Sequence, residues 1–346
     1  MNLRIGAEPA KRVAAQIYHA QSFKWSWTAL STSCATFANP QSTSRTTRYF
    51  AAASSPPLPG PIPIDEVFVD LQSPDVQTDI AQALAPHYKS QTPVVLRSML
   101  YKSDAYYCWK SMEYLNAAVG GDTPVYVEIG GSYADANVEK PEISFGEYIE
   151  YMHQFENRYG DGNGAENETK ESEQQPPPHE IVYLAQNDLP PALYNDFDMP
   201  KLCDDASFAR KYEVGEGNLY SCMIWMGPRG TLSPLHYDPL DNLLMQVVGT
   251  KRVLLYPKTV GLKDGSKDIS APEEAAWTYA GSDGMQYNTS PVDVEDPDLK
   301  KFPLFAKCPA PIECMLNPGD AMYIPAKWWH HVRSLSRSVS VNAWWK

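Results

Sequence analysis

A chain of 346 residues, 43% hydrophobic and 12% aromatic, is long enough to bury a sizeable core in one large domain or two. It contains no apolar run of about 18 residues, so no membrane-spanning helix is expected. The net charge of −13 is unevenly placed: residues 1–55 carry six Lys/Arg against Glu8 alone, a local +5 that leaves −18 for the rest. A field of that sign disfavours nucleic-acid backbones as direct substrates and favours basic polypeptide partners.

Residues 1–62 are poor in acid, rich in Ser, Thr, Ala and Arg, and close on Ser-Ser-Pro-Pro-Leu-Pro-Gly-Pro. Such an extension resembles a mitochondrial transit peptide. A helix over Ala7–Phe23 followed by a linker, and the remnant of a larger N-terminal region, are the other readings. The six cysteines (34, 108, 203, 222, 308, 314) show no C-x-x-C pair, which suits free thiols in a reducing, nuclear or cytoplasmic, setting. The sequons at Asn167 and Asn288 are then incidental.

From residue 63 the chain reads as one globular domain. The pattern predicts a helix over Pro74–Ala85 with Ser73 as its cap and Pro74 at its first position. A strand follows at Pro93–Arg97, a helix at Trp109–Val119, a strand at Val125–Ile129 and a helix at Phe145–Phe155. Residues 157–180 lack a core-forming pattern and predict a disordered insertion, His179 included. Strands follow at Ile181–Gln186, Tyr220–Met226 and 231–238. Asn242–Val248 and Lys251–Tyr256 flank Gly249-Thr250 and predict a β-hairpin. After an irregular excursion over 257–311, the turn Asn317-Pro-Gly-Asp320 leads to strands at Ala321–Pro325 and His330–Leu335. Many short strands with Gly/Pro turns and flanking helices predict a mainly β fold, a double-stranded β-helix of the cupin type whose mouth holds the site.

His236-Tyr237-Asp238 carries the chemistry. Residues i and i+2 of a strand share a face, so the His236 imidazole and the Asp238 carboxylate project together. A second imidazole from a distant strand would complete three ligands on one face of an octahedron, the arrangement of non-haem Fe(II) oxygenases. Two histidines compete for that place. His330 shares a face with Val332 and Ser334, and His331 shares one with Arg333 and Leu335. The face without arginine suits a metal-lined interior, which favours His330 and leaves His331 at the surface or behind the ligands. Lys251 lies on the face of Val253 and Leu255. Directed inward it requires an anion; at the mouth of a hairpin it would simply reach solvent.

Thr231-Leu-Ser-Pro-Leu-His-Tyr-Asp-Pro-x-x-Asn242, Gly249-x-Lys251, Pro318-Gly-Asp-x-x-x-Ile-Pro and Trp329-His330-x-Val together resemble the JmjC (Jumonji C) 2-oxoglutarate-dependent oxygenases. The resemblance runs from about residue 65 to the C-terminus, apart from 157–180. Val127–Gly130, Tyr183–Gln186, Trp225–Pro228, Val292–Leu299 and Ser340–Trp345 resemble its arginyl-hydroxylase branch. The resemblance implies Fe(II) held by His236, Asp238 and His330, and 2-oxoglutarate held by Lys251 and Tyr183 with Asn242 and Ser233 nearby. It implies O2 as co-substrate and oxidation of a C–H bond, with succinate and CO2 released. Glu128, Gln186, Trp225 and Trp344 map to a pocket for an arginine of a protein or peptide substrate, where a carboxylate pairs with guanidinium and indole faces attract a cation. Core packing is the competing reading for Trp225 and the preferred one for Trp345. Histone lysine demethylation, tRNA modification by the same chemistry and a non-catalytic cupin interaction module are the alternatives. Residues 1–62, the 157–180 insertion and His331, where an aromatic is more usual, depart from the branch.

Overall fold

Short β-branched and aromatic runs punctuated by Gly and Pro become strands. A computed structural model describes residues 58, 60–130, 140–161, 176–259 and 288–346. The strands are β1 (Ile62–Pro63), β2 (Asp65–Phe68), β3 (Val94–Arg97), β4 (Pro124–Tyr126), β5 (Glu128–Ile129), β6 (Glu142–Ser144), β7 (Val182–Asp188) and β8 (Leu219–Gly227). They continue with β9 (Leu232–Tyr237), β10 (Asp241–Val248), β11 (Lys251–Tyr256), β12 (Ile312–Leu316), β13 (Ala321–Ile324), β14 (Trp329–Ser334) and β15 (Ser338–Trp345). One sheet has the order β1-β12-β11-β14-β9 and the other β2-β3-β13-β10-β15-β8-β7-β5, with β4 and β6 forming a separate ribbon.

The two larger sheets pack into a jelly-roll β-sandwich, the double-stranded β-helix that the strand pattern predicts. Val95, Leu244, Met322 and Ile324 of the larger sheet meet Val253, Leu255, Leu316 and Val332 of the smaller. On the smaller sheet's outer face, Leu235, Leu254, Tyr256 and Trp329 are covered by Val292, Val294 and Phe305. No helix of the described residues is long and apolar enough to cross a membrane.

The hairpin expected across Gly249-Thr250 does not form. β10 pairs with β13 and β15, whereas β11 pairs with β12 and β14, so the link carries the chain from one sheet to the other. Both strands are buried nearly end to end, and each satisfies its two edges with strands distant in sequence. Gly249 turns the corner at φ +73°, where an added Cβ would stand 1.7 Å from the Arg337 carbonyl oxygen. Left-handed strain and that clash together predict that Gly249→Ala destabilises the fold by about 3 kcal/mol. Urea unfolding measures this, and a loss below about 0.5 kcal/mol, the level of an ordinary surface change, would show that the corner relaxes freely.

Helix limits differ from the sequence pattern for local reasons. The first described helix is Val76–Ser90, capped by Asp75, whose side chain accepts from the Thr78 N–H. It runs through Pro86, which lies on the exposed side where solvent takes the carbonyl that proline cannot serve. The helix expected over Trp109–Val119 starts later, as Met112–Val119 capped by Ser111, and a separate short helix, Asp104–Cys108 capped by Ser103, precedes it. Val125–Ile129 divides between β4 and β5, which join different sheets. The helix after Ser144 has a capping box with Glu147 and extends to Tyr159, into the expected insertion. Pro178–Glu180 forms a short 3-10 turn, while 162–175 and most of the N-terminal extension, including Ala7–Phe23, lie outside the described residues.

Candidate active site

The site sits between the sheets at one end of the sandwich. β9 and β14 pair so that His236 and His330 are direct cross-strand partners, with ring centroids 4.1 Å apart. Asp238 follows the end of β9, two residues beyond His236 and on its side. His236, Asp238 and His330 each offer a ligand atom, all within 4.8 Å of one another. The His236 Nδ1 lies 2.7 Å from the Pro234 carbonyl oxygen and the His330 Nδ1 3.0 Å from that of Trp328. Those carbonyls hold the proton on Nδ1 and turn each Nε2 into a donor for a metal. Burial, and next the neighbouring His330, push His236 down to about 3, so that ring is neutral. Two imidazoles and a carboxylate on one side are a donor set that suits a divalent first-row cation such as Fe(II).

Lys251 begins β11 and points between the sheets with Val253 and Leu255. It is 3% exposed, so the reading in which it reaches solvent fails. It forms no ion pair among the described residues, and burial alone pushes it down to about 7. A buried ammonium without an anion is an unbalanced charge that a carboxylate ligand would relieve. Its Nζ stands 6.0 Å from the ring centre of Tyr183, a buried phenol that faces the Ser233 hydroxyl and whose own pKa burial raises. Tyr183, Ser233, Asn242 and Lys251 line one cavity with the three candidate metal ligands.

Gln186, Trp225 and Trp344, expected at the substrate, line the same cavity, but Glu128 does not. Glu128 lies on β5 opposite Tyr183, one strand away from the opening. Its Oε1 is 2.8 Å from the Lys140 Nζ, whereas its Oε2 is buried without a partner among the described residues. Burial raises its pKa, and Lys140 opposes the rise. Gln186 is exposed at φ +51°, beside a bulge in β7 that turns its side chain to the cavity mouth. Trp225 packs 5.9 Å from Tyr183, ring to ring, and its buried Nε1 has no partner among the described residues. Trp345 is wholly buried on the other face of β15.

His331 corrects one expectation, since it is not at the surface. It is 2% exposed on the outer face of β14, beneath the covering chain, with Nε2 4.0 Å from Glu295. Asn342, which lines the cavity, was not singled out from the sequence. The available signal was its place on the Trp344 face of an alternating strand.

The Cupin-like domain family model matches residues 81–346. The chain is 34% identical over 263 residues to "Lysine-specific demethylase JMJ30" of Arabidopsis thaliana, covering 76% of this chain and 52% of that protein. It is 29% identical over 299 residues to "Jumonji C domain-containing protein 5" of Drosophila melanogaster, with coverages of 85% and 65%. Against "tRNA wybutosine-synthesizing protein 5" of Danio rerio, identity is 33% over 156 residues, covering 45% of this chain and 39% of that one. The chain spans about half the length of the first of these curated relatives. A relative named for tRNA leaves the charge argument against a nucleic-acid substrate without support.

Proposed function

Because the chain belongs to the cupin-like family that includes JmjC-domain proteins, we propose that it is an Fe(II)- and 2-oxoglutarate-dependent oxygenase that hydroxylates an arginine side chain of a protein. The observation that carries the cofactor assignment is the meeting of the His-Asp-His group with a buried, anion-less lysine in one cavity. His236, Asp238 and His330 would hold the iron, which with 2-oxoglutarate and O2 would supply the oxidising power for a C–H bond, with succinate and CO2 as co-products. The chain's own residues do the rest. The Pro234 and Trp328 carbonyls keep the imidazoles in the ligating tautomer. Lys251 holds the distal carboxylate as a point charge, Tyr183 adds a directional hydroxyl, and Ser233 and Asn242 border them. The apolar walls Leu244, Ile324 and Val332 exclude water.

The arginine reading draws support from the half-satisfied Glu128. Lys140 serves one oxygen and leaves the other buried, whereas a guanidinium presents two parallel N–H groups to a carboxylate. Trp225 and Gln186 would border the same cation. Demethylation of methyl-lysine is the second reading, favoured by the names of the 34%-identical relatives.

Glu128→Ala separates substrate recognition from cofactor chemistry. It is expected to leave peptide-independent 2-oxoglutarate turnover intact and to lower hydroxylation of arginine peptides at least about tenfold. Succinate and product mass are read together. Equal loss of both activities would remove Glu128 from the pocket, and release of formaldehyde from methyl-lysine peptides would favour the second reading.

A further inference from the structure

The last strand ends in adjacent tryptophans that leave it on opposite faces. Trp345 turns outward, fully buried, and its Nε1 donates to the Val214 carbonyl at 3.2 Å. Trp344 turns into the cavity, where its Nε1 donates to Asp238 Oδ2 at 3.0 Å. The same oxygen accepts from Asn242 Nδ2 at 3.3 Å. The Asn242 amide oxygen is taken by Asn342 Nδ2 at 2.7 Å, so the amide presents its N–H side to Asp238. Both asparagines are nearly inaccessible to solvent, at 2% and 4%.

A carboxylate rotates broadly about its terminal torsion. Just past the end of the strand, the Lys327 N–H holds the Asp238 backbone through its carbonyl but leaves the carboxylate torsion free. Two N–H donors converging on one oxygen, one of them on a rigid indole, remove that freedom. We infer that Trp344, together with Asn242 oriented by Asn342, positions Asp238 for the metal, so that metal affinity is set from the C-terminal strand. The inference rests on the proposal that His236, Asp238 and His330 are the metal ligands. It gives Trp344 a task different from the cation-attracting face expected of it: the indole N–H, acting on Asp238, is what matters. Trp344 is thereby a positioning residue, because it acts on the metal through another side chain.

Trp344→Phe isolates the N–H, since it keeps an aromatic face in the cavity and deletes only the donor and part of the ring. Anaerobic titration of the full chain with Co(II), followed by its visible absorption and by calorimetry, reads metal binding without turnover. Loss of an outer partner of a metal ligand weakens metal binding by about 10- to 100-fold, and that is the expected rise in the Co(II) Kd. Asn342→Ala is expected to shift the Kd in the same direction by less, and it carries the test if Trp344→Phe does not fold. Trp345→Phe, which loses the Val214 bond, is expected to lower Tm and leave Co(II) affinity unchanged. A folded Trp344→Phe protein with wild-type Co(II) affinity would overturn the inference while leaving the metal assignment standing. Wild-type protein that takes up no Co(II) would overturn both.

Discussion

An Asp238→Ala protein is expected to fold and to lose 2-oxoglutarate turnover by at least about 10³-fold, more than the loss typical of an outer partner of a metal ligand. An imidazole ligates a metal without bringing charge, so Asp238 brings the one negative charge of the candidate ligand set. Without it, two rings 4.1 Å apart remain, with nothing to balance a divalent cation. The fold should tolerate the change, because the backbone bond from the Lys327 N–H to the Asp238 carbonyl at 2.7 Å is untouched. What is lost is the acceptor for Trp344 Nε1 and Asn242 Nδ2, a cost of about 1–3 kcal/mol. Succinate formation and a thermal melt, run on the same sample, check both halves. Turnover retained in the variant would take Asp238 out of the ligand set.

Lys251→Met should separate function from stability in opposite directions. Losing a charged partner of the distal carboxylate costs about 1.5–3 kcal/mol, so the KM for 2-oxoglutarate is expected to rise by about 10- to 100-fold. The ligand-free protein should melt no lower than wild type, since methionine fills similar space without a buried ammonium. The pH dependence has a definite sign. Folded Lys251 lies near 7, while an unfolded lysine lies near about 10.4, so between these values the unfolded chain binds the extra proton. Wild-type stability therefore rises with pH across that window, and this contribution disappears in the methionine variant. Binding runs the other way. The dicarboxylate favours the charged lysine, so its affinity is greatest below about 7 and weakens by up to about tenfold per pH unit above it. A KM for 2-oxoglutarate that is flat from about pH 6 to 9 in wild type, or unchanged by Lys251→Met, would contradict the assignment.

What the sequence disclosed follows from which forces are local. Alternation along a strand is local, so the shared face of His236 and Asp238, the inward turn of Lys251 beside Val253 and Leu255, and the opposite facing of His330 and His331 could all be read. Partner choice between strands is not local. Gly249-Thr250 between two apolar runs has the same appearance whether it closes a hairpin or crosses between sheets, and only the pairing of β10 with β15 and β11 with β14 distinguishes them. The burial of His331 depends likewise on a covering segment that lies before it in sequence and includes Val292 and Glu295. Glu128 stands apart from the cavity lining because β5 is joined through β7, which its own few residues do not announce. Asn342 offered only its place on the Trp344 face, because a lone asparagine in a strand has no chemistry until its cross-strand neighbours are known.

Oxygen-dependent conversion of 2-oxoglutarate to succinate by the anaerobically Fe(II)-loaded chain, with a pool of arginine- and lysine-containing peptides, tests the central claim most directly. The account predicts peptide-stimulated succinate and an arginine peptide heavier by one oxygen atom. Folded protein that binds no iron and forms no succinate would contradict it and leave a cupin that serves as a binding module.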